Sequence, residues 1–158
     1  MNFDQAFERL LGHEGAYSFH PDDPGGETMW GVTVAVARKN GYTGPMKSLP
    51  VDVAKAIYKK QYWDSVRADD LPPAIRYHVF DAAVNSGVGQ AAKWLQRAVG
   101  VPDDGQVGPM TCNAARAAPP DAVIRRMNAN RLRFMTDLKN WPSFSRGWAR
   151  RIADLLEA

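Results

Sequence analysis

Apolar residues recur at helical spacing from the first residues of this chain. One face of the first predicted helix carries four of them: Phe3, Phe7, Leu10 and Leu11. Asn2 and Gln5 have the spacing of a capping box, which predicts that the helix begins near Phe3. Gly12 or Gly15 then ends it, because glycine is the residue that most often follows the last turn of a helix.

The same periodicity predicts most of the remaining chain to be helical. Further helices are expected over residues 50–67, 72–86, 89–99, 110–118, 120–140 and 144–157. The segment 72–86 is apolar on nearly every face, which is typical of a central buried helix. Between the helices, VPDDGQVGP (residues 101–109) has the composition of a turn. The predicted fold class is therefore mainly α.

Residues 16–32 break this pattern with glycines and prolines, which predict turns and at most a short β-hairpin. After them, Thr33 has the chemistry to cap a helix that runs to Asn40, with Gly41 as its stop. A second interpretation fits as well, since one alternating set could form a strand: Trp30, Val32, Val34 and Val36. Periodicity leaves both possibilities open.

The composition, at 158 residues with 45% hydrophobic residues, is that of a globular protein with a substantial core. The single cysteine, Cys112, excludes an internal disulfide. No basic leader with a long apolar run begins the chain, so we expect synthesis in the cytoplasm without a cleavable signal peptide.

Charge is unevenly distributed along the chain, although the net charge is only +3. From Asp121 onward eight Arg or Lys face four Asp or Glu, while the first 120 residues hold twelve bases and thirteen acids. A basic C-terminal part suggests an anionic partner such as nucleic acid, a membrane surface or the bacterial cell wall. It is equally consistent with a solvated helical face.

Glu14 stands directly after the first apolar helical pattern. If the helix continues, a projection from Phe3 places Glu14 at about 20°, in the middle of the apolar face. Burial and the helix dipole would both favour the protonated carboxyl, which is what a general acid requires. The alternative is that the helix ends at Gly12 and Glu14 caps the loop that follows.

Residues 13–33, HEGAYSFHPDDPGGETMWGVT, resemble the signature of glycoside hydrolase family 108, the N-acetylmuramidases of phage endolysins and secretion-associated muramidases. Ala16 departs from the usual second glycine. Residues 80–87 (FDAAVNSG) and 144–151 (FSRGWARR) also resemble family segments. Residues 94–111 resemble the family's predicted peptidoglycan-binding part. The resemblance covers almost the whole chain.

This resemblance implies a single lysozyme-like helical domain over residues 1–158, with a short β-hairpin or loop region after the first helix. Residues 1–88 would form the catalytic part and 89–158 a helical, peptidoglycan-binding part. The implied reaction is hydrolysis of the β-1,4 bond between N-acetylmuramic acid and N-acetylglucosamine, with Glu14 as the catalytic glutamate and no cofactor.

A second carboxylate would position water, act as nucleophile or stabilise positive charge. Asp22, Asp23 and Glu27 are the candidates, and Asp23 is the best match to the family pattern. Thr28 would help to hold a water molecule. The alternative for Asp22 and Asp23 is a turn before Pro24, which aspartate suits well.

The predicted substrate-binding residues are Tyr17, Trp30, Asn85 and His13. The two aromatic rings either offer flat surfaces to sugar rings or belong to the core, and Tyr62 and Trp63 share that ambiguity. Asn85 either caps the central helix or hydrogen-bonds an N-acetyl group. His13 would orient Glu14 or its loop.

The three histidines, His13, His20 and His78, lack the spacing of a zinc helix, so no metal is expected. The expected partner is the peptidoglycan glycan strand, bound by a monomer. The basic C-terminal part is a candidate contact for an anionic wall or membrane surface. No nucleic-acid partner is expected, because acidic residues are mixed with the arginines and no recognised motif accompanies them.

Two other functions stay open at this point: a lytic transglycosylase and a non-catalytic peptidoglycan-binding protein. The enzyme would act in the periplasm or cell wall after release through a holin pore or a dedicated export system.

Overall fold

The computed structural model describes residues 1–12, 16–19, 21 and 25–157 of the chain. Two compact units are present, Asn2–Gln61 and Tyr62–Ala158, the second together with Met1. The described residues are mostly helical with one small antiparallel sheet, so the prediction of a mainly α fold with a short β region after the first helix is confirmed. The division into a catalytic part and a binding part stays a prediction.

The described elements of the first unit are α1 (Phe3–Leu11), β1 (Tyr17–Ser18), β2 (Thr28–Met29), β3 (Val32–Thr33), α2 (Val34–Lys39) and α3 (Val51–Tyr58). The predicted capping box begins α1: the side chain of Asn2 accepts from the Gln5 amide at 2.9 Å, and the Gln5 side chain accepts from the Asn2 amide at 3.0 Å. Gly12 is the C-cap of this helix. Glu14 lies outside the described residues, so the projection that places it on the apolar face stays a prediction.

The three strands form a sheet in the order β1-β2-β3, with Tyr17 opposite Met29 and Thr28 opposite Thr33. Directly after it, the Thr33 side chain accepts from the amide of Val36 and caps α2, while Gly41 follows with φ of 89°. The helix prediction is thus confirmed, and the strand alternative holds only for Val32–Thr33.

The predicted helix over residues 50–67 was wrong in its second half. α3 ends at Tyr58, and a π-helical segment, Lys59–Trp63, follows it. Trp63 is fully buried against Phe80, with ring centroids 5.4 Å apart, and Arg67 adopts a left-handed φ of 51°. The apolar periodicity of the sequence continues to residue 67, but the α-helix does not, because the chain here packs Trp63 into the core and turns at Arg67.

The helices of the second unit are α4 (Pro73–Ser86), α5 (Val88–Val99), α6 (Pro109–Ala117), α7 (Pro120–Thr136) and α8 (Trp141–Glu157). α4 is buried on several faces, as predicted, and α7 ends four residues earlier than the pattern indicated. Among the described helices, none combines the length and apolar character needed to cross a lipid bilayer.

The predicted turn between α5 and α6 is organised by Gln96, whose side chain is buried. Its amide nitrogen donates to Asp104 at 2.8 Å and to the Gln106 carbonyl at 3.0 Å, and its oxygen accepts from the Gly105 amide. The hydrogen bond from the Gln106 amide and, second, the one from Gln96 hold the pKa of Asp104 below its usual value. One buried amide therefore fixes a loop that has no regular backbone pairing.

Candidate functional site

A two-residue hairpin loop, Trp30–Gly31, joins β2 to β3 and carries the aromatic residue of the family signature. Both loop residues have positive φ, 54° and 75°, as a type I′ turn requires. Glycine adopts this region freely, whereas a bulky side chain pays a steric cost there. The surroundings must therefore hold Trp30 in place.

Trp30 is held by three hydrogen bonds within the first unit. Its amide donates to the Ala16 carbonyl at 2.6 Å, and its indole Nε1 donates to the Leu49 carbonyl at 3.0 Å. The hydroxyl of Tyr58 donates to the Trp30 carbonyl at 2.9 Å. The indole is half-buried, so part of its surface stays open to solvent while its polar edge is already satisfied.

Tyr17, a second predicted sugar-binding aromatic, lies on β1 and is exposed. Its hydroxyl donates to Glu27 Oε2 at 2.6 Å, and Lys47 Nζ lies 5.0 Å from the ring centroid. The hydrogen bond to Glu27, with burial and the nearby negative charge as smaller causes, raises the pKa of Tyr17. Glu27, one of the candidate second carboxylates, thus points its oxygen at Tyr17.

Thr28 lies on β2, half-buried, and its backbone pairs with Ser18 on one side and Thr33 on the other. The structure therefore brings Thr28, Glu27 and Tyr17 onto two adjacent short strands and the turn between them. Glu14, Asp23 and His13 lie outside the described residues, so their predicted roles stay predictions, and the same holds for the alternative Asp22.

The second unit contains a cluster of charged side chains that sequence reasoning missed. Asp81 on α4 is fully buried and accepts from Arg131 Nη2 on α7 and from Arg151 Nε on α8, each at 2.9 Å. Arg131 is 1% exposed, and Arg151 is mostly buried. Burial lowers the pKa of Arg131, and the attraction of Asp81 partly offsets this effect.

Asn85, the predicted N-acetyl ligand, is exposed and lies one helical turn after Asp81. Its amide is satisfied only with the oxygen facing the two arginines: the oxygen then accepts from Arg151 Nε at 2.7 Å and from Arg131 Nη2 at 3.3 Å. The C-cap of α4 is Gly87, whose amide donates to the Ala83 carbonyl, and both alternatives for Asn85 stay predictions.

A signal for this cluster was present in the sequence. Asp81 interrupts a helix that is apolar on nearly every face, and a buried carboxylate requires a cationic partner. Arg151 belongs to the segment FSRGWARR, so two of the matched segments meet at one carboxylate. Nothing in the sequence singled out Arg131, which is separated from Asp81 by 50 positions.

Tyr62 and Trp63, the two other aromatic candidates, differ in how deeply they are buried. Trp63 is fully buried beside Phe80 and belongs to the core of the second unit, and Tyr62 is half-buried. His78 is also buried, with its Nδ1 3.3 Å from the Asn128 side-chain nitrogen. Within the described ranges, no three His, Cys, Asp or Glu side chains are grouped to hold a metal ion.

Two surface depressions lie beside α3, with volumes of about 460 and 330 Å³. Asp52 and Ala56 line both of them, and neither is lined by a predicted site residue. We therefore do not assign either depression to the site.

Comparison with known proteins places this chain in a family. The model described as Glycosyl hydrolase 108 matches residues 7–87, and the model described as Predicted Peptidoglycan domain matches residues 90–153. Among solved structures, the chain is similar to SagA of Brucella abortus, with 34% identity and a TM-score of 0.89. The match covers 98% of this chain and 91% of that one. A comparison with curated proteins finds no match.

Proposed function

Because the chain belongs to the glycosyl hydrolase 108 family and is a peptidoglycan hydrolase, we propose that it is an N-acetylmuramidase with Glu14 as its general acid. The bond cleaved is the β-1,4 linkage between N-acetylmuramic acid and N-acetylglucosamine. The observation that carries this proposal is that the family match over residues 7–87 includes the whole segment HEGAYSFHPDDPGGETMWGVT.

In the proposed reaction, Glu14 protonates the glycosidic oxygen as the bond to the sugar carbon breaks. The departing sugar leaves an oxocarbenium-like centre, which a second carboxylate stabilises or to which it directs water. Asp23 takes this role in our proposal, and Thr28 helps to hold the water. Both carboxyl assignments rest on the match to the family pattern.

The hairpin of the first unit supports Trp30 as a sugar-binding residue. A tryptophan with positive φ is costly, and its indole makes a specific hydrogen bond to the Leu49 carbonyl while the ring stays half-exposed, which supports a role for the ring at this position. Tyr17 lies on the neighbouring strand pair and is exposed, which suits contact with a pyranose ring.

The test is digestion of purified peptidoglycan by the wild type, Glu14→Gln and Glu8→Gln, with reduced products identified by mass spectrometry. Glu8 is an exposed glutamate of α1 and serves as the matched control. We expect reducible muramic acid ends from the wild type and from Glu8→Gln, and a loss of roughly 10²- to 10⁴-fold for Glu14→Gln at unchanged thermal stability.

Other outcomes would redirect the assignment. Anhydro-muramic ends, lighter by one water, would identify a lytic transglycosylase. Undiminished cleavage by Glu14→Gln would remove Glu14 from the mechanism. Binding without cleavage by all three proteins would contradict the catalytic role and leave a peptidoglycan-binding protein.

The same assay on Asp23→Asn and Asp22→Asn tests the second carboxylate, and we expect the larger loss of activity for Asp23→Asn.

We also propose that hydrolysis takes place in the periplasm or cell wall, where the substrate is, after release through a holin pore or a dedicated export system. Fractionation of cells that express the chain with and without a holin would test the first route. Retention in the cytoplasm with both a holin and the native export system present would contradict the proposal.

The basic C-terminal part is proposed to contact an anionic wall or membrane surface. Six of its eight cations are exposed: Arg125, Arg126, Arg133, Lys139, Arg146 and Arg150. The other two, Arg131 and Arg151, face Asp81 instead. Leakage of anionic vesicles caused by Glu14→Gln would support the membrane contact, and intact vesicles at low salt would exclude it.

A further inference from the structure

Lys47 comes to the hairpin from a separate part of the first unit. It lies in a short 3₁₀ helix, Met46–Ser48, which packs against β2. Met46 and Leu49 are buried on either side of it, and the Leu49 carbonyl accepts the indole hydrogen bond of Trp30 at 3.0 Å. The backbone around Lys47 is therefore fixed to the hairpin, while the lysine side chain is exposed.

The ammonium group of Lys47 lies over an aromatic ring and not in an ion pair. Its Nζ is 5.0 Å from the ring centroid of Tyr17, and no carboxylate of the described residues pairs with it. Glu27, directly before β2, accepts from the Tyr17 hydroxyl instead. Lys55 of the same unit differs, since it pairs with Asp4 at 2.7 Å. The three N–H donors of Lys47 are thus available to a ligand that contacts Tyr17.

The composition of the signature segment gives a cation at this place a use. Residues 13–33 contain four carboxylates and no lysine or arginine. Like charges repel, so such a segment disfavours an anionic ligand unless another part of the chain supplies a cation. Peptidoglycan is an anionic ligand, because the lactyl group of N-acetylmuramic acid ends in a carboxylate or continues into a peptide stem that carries carboxylates. Chitin, built from N-acetylglucosamine alone, has none.

We propose that Lys47 is a specificity-determining residue, whose ammonium group binds a carboxylate of the lactyl group or peptide stem on a muramic acid unit held at Tyr17. The identity of the substrate rests on the proposed function, whereas the placement of Lys47 rests on the geometry of the first unit. The ammonium group donates to the carboxylate and offsets the repulsion from Glu27. A neutral glycan gains nothing from this contact, so the enzyme prefers peptidoglycan to chitin.

The test measures the binding of three soluble tetrasaccharides by titration calorimetry, with every variant in the Glu14→Gln background so that turnover does not interfere. The first ligand alternates N-acetylglucosamine with N-acetylmuramic acid that bears peptide stems. The second is the same glycan after an amidase has removed the stems, and the third is chitotetraose. Lys47→Gln removes the charge, and Lys47→Arg keeps a cation that can lie over Tyr17. Lys39→Gln is the matched control, because Lys39 is an exposed lysine of α2.

We expect Lys47→Gln to bind one or both muramic acid ligands about 5-fold more weakly than the parent at low salt. The difference should shrink as salt rises, because the pair is screened. Chitotetraose should bind both proteins equally, and Lys47→Arg and Lys39→Gln should bind all ligands as the parent does. Thermal stability should not change, since Lys47 is exposed. In the active background, Lys47→Gln raises KM for peptidoglycan and leaves kcat within a few-fold.

The pattern of loss identifies the source of the carboxylate. A loss confined to the stem-bearing ligand assigns it to the stem, a loss confined to the stripped ligand assigns it to the lactyl group, and a loss on both supports the shared chemistry. Equal binding of Lys47→Gln and the parent to both muramic acid ligands would overturn the proposal.

An equal loss on chitotetraose would also overturn it, because Lys47 would then act through the Tyr17 ring and not through a carboxylate. A parent that binds none of the three ligands would overturn it as well. Since binding is measured without turnover, failure of the muramidase proposal in the digestion assay leaves this result interpretable.

Discussion

The signature segment of the first unit and the ionic cluster of the second both carry residues of the family pattern, yet different physics holds them. Around the hairpin, two-residue strands and positive φ angles at Gly26, Trp30 and Gly31 set the backbone path. Apart from buried Val32, the described side chains there are exposed or half-buried, and those of Tyr17 and Trp30 each make one hydrogen bond. Around Asp81, regular helices set the backbone, and buried opposite charges connect them.

This difference shows that the position of a residue in a sequence motif does not reveal whether the residue contacts ligand or stabilises the fold. In the hairpin, loss of an aromatic ring should weaken ligand contacts, and the loss of stability should be smaller than in the cluster. In the cluster, they should change the fold first, except at Asn85, where the exposed amide joins a buried network to the surface. The predictions below test this division, beginning with the largest effect.

Asp81→Ala should lower the free energy of unfolding by about 3 to 5 kcal/mol, because it leaves two arginines without their buried counter-charge. Urea denaturation followed by circular dichroism measures this change. Asp154→Ala is the control, since Asp154 is an exposed carboxylate of α8, and its effect should stay within about 0.5 kcal/mol. A loss below about 1 kcal/mol for Asp81→Ala would remove the contrast between the two regions.

Trp30→Phe should lower the free energy of unfolding by about 1 to 3 kcal/mol, because the carbonyl of buried Leu49 loses the indole donor. Activity should stay within a few-fold, since an aromatic face remains. Trp30→Asn is the complementary variant: asparagine suits a type I′ turn, but the ring is gone, so KM on peptidoglycan should rise. Equal activity of the two variants would show that the ring contacts no sugar.

Glu27→Gln should produce the smallest effect, a fall in the pKa of Tyr17 toward its ordinary value, because the hydrogen bond to Glu27 is the largest cause of the upward shift. A raised folded-state pKa adds stability that is complete below the unfolded value of 10.0 and is lost as pH rises through the folded value. Phenolate absorbance during a pH titration measures the shift, with Glu8→Gln as control. An unchanged Tyr17 titration would show that the 2.6 Å contact is absent in solution.

Much of the fold could be predicted from the sequence, because helix caps and apolar patterns depend on neighbouring residues. The capping box at Asn2 and the cap at Thr33 act within one helical turn, so three or four neighbouring residues suffice to predict them. The all-round apolar pattern of residues 72–86 also predicted a buried helix that the structure contains. The helix predicted over residues 50–67 is α-helical only to Tyr58, becomes π-helical over Lys59–Trp63 and ends there, where Trp63 packs on the distant Phe80.

By itself, the sequence determined the helical class, the family and most helix starts, because periodicity, caps and motif spacing are properties of neighbouring residues. The last helix is an exception, since it begins at Trp141 and not at residue 144. Only the tertiary structure decided that Asp81 meets Arg131 and Arg151, which are 50 and 70 positions away. It also decided that the amide oxygen of Asn85 faces these two arginines. Buried charges must find counter-charges wherever the fold places them, and no local pattern states where that will be.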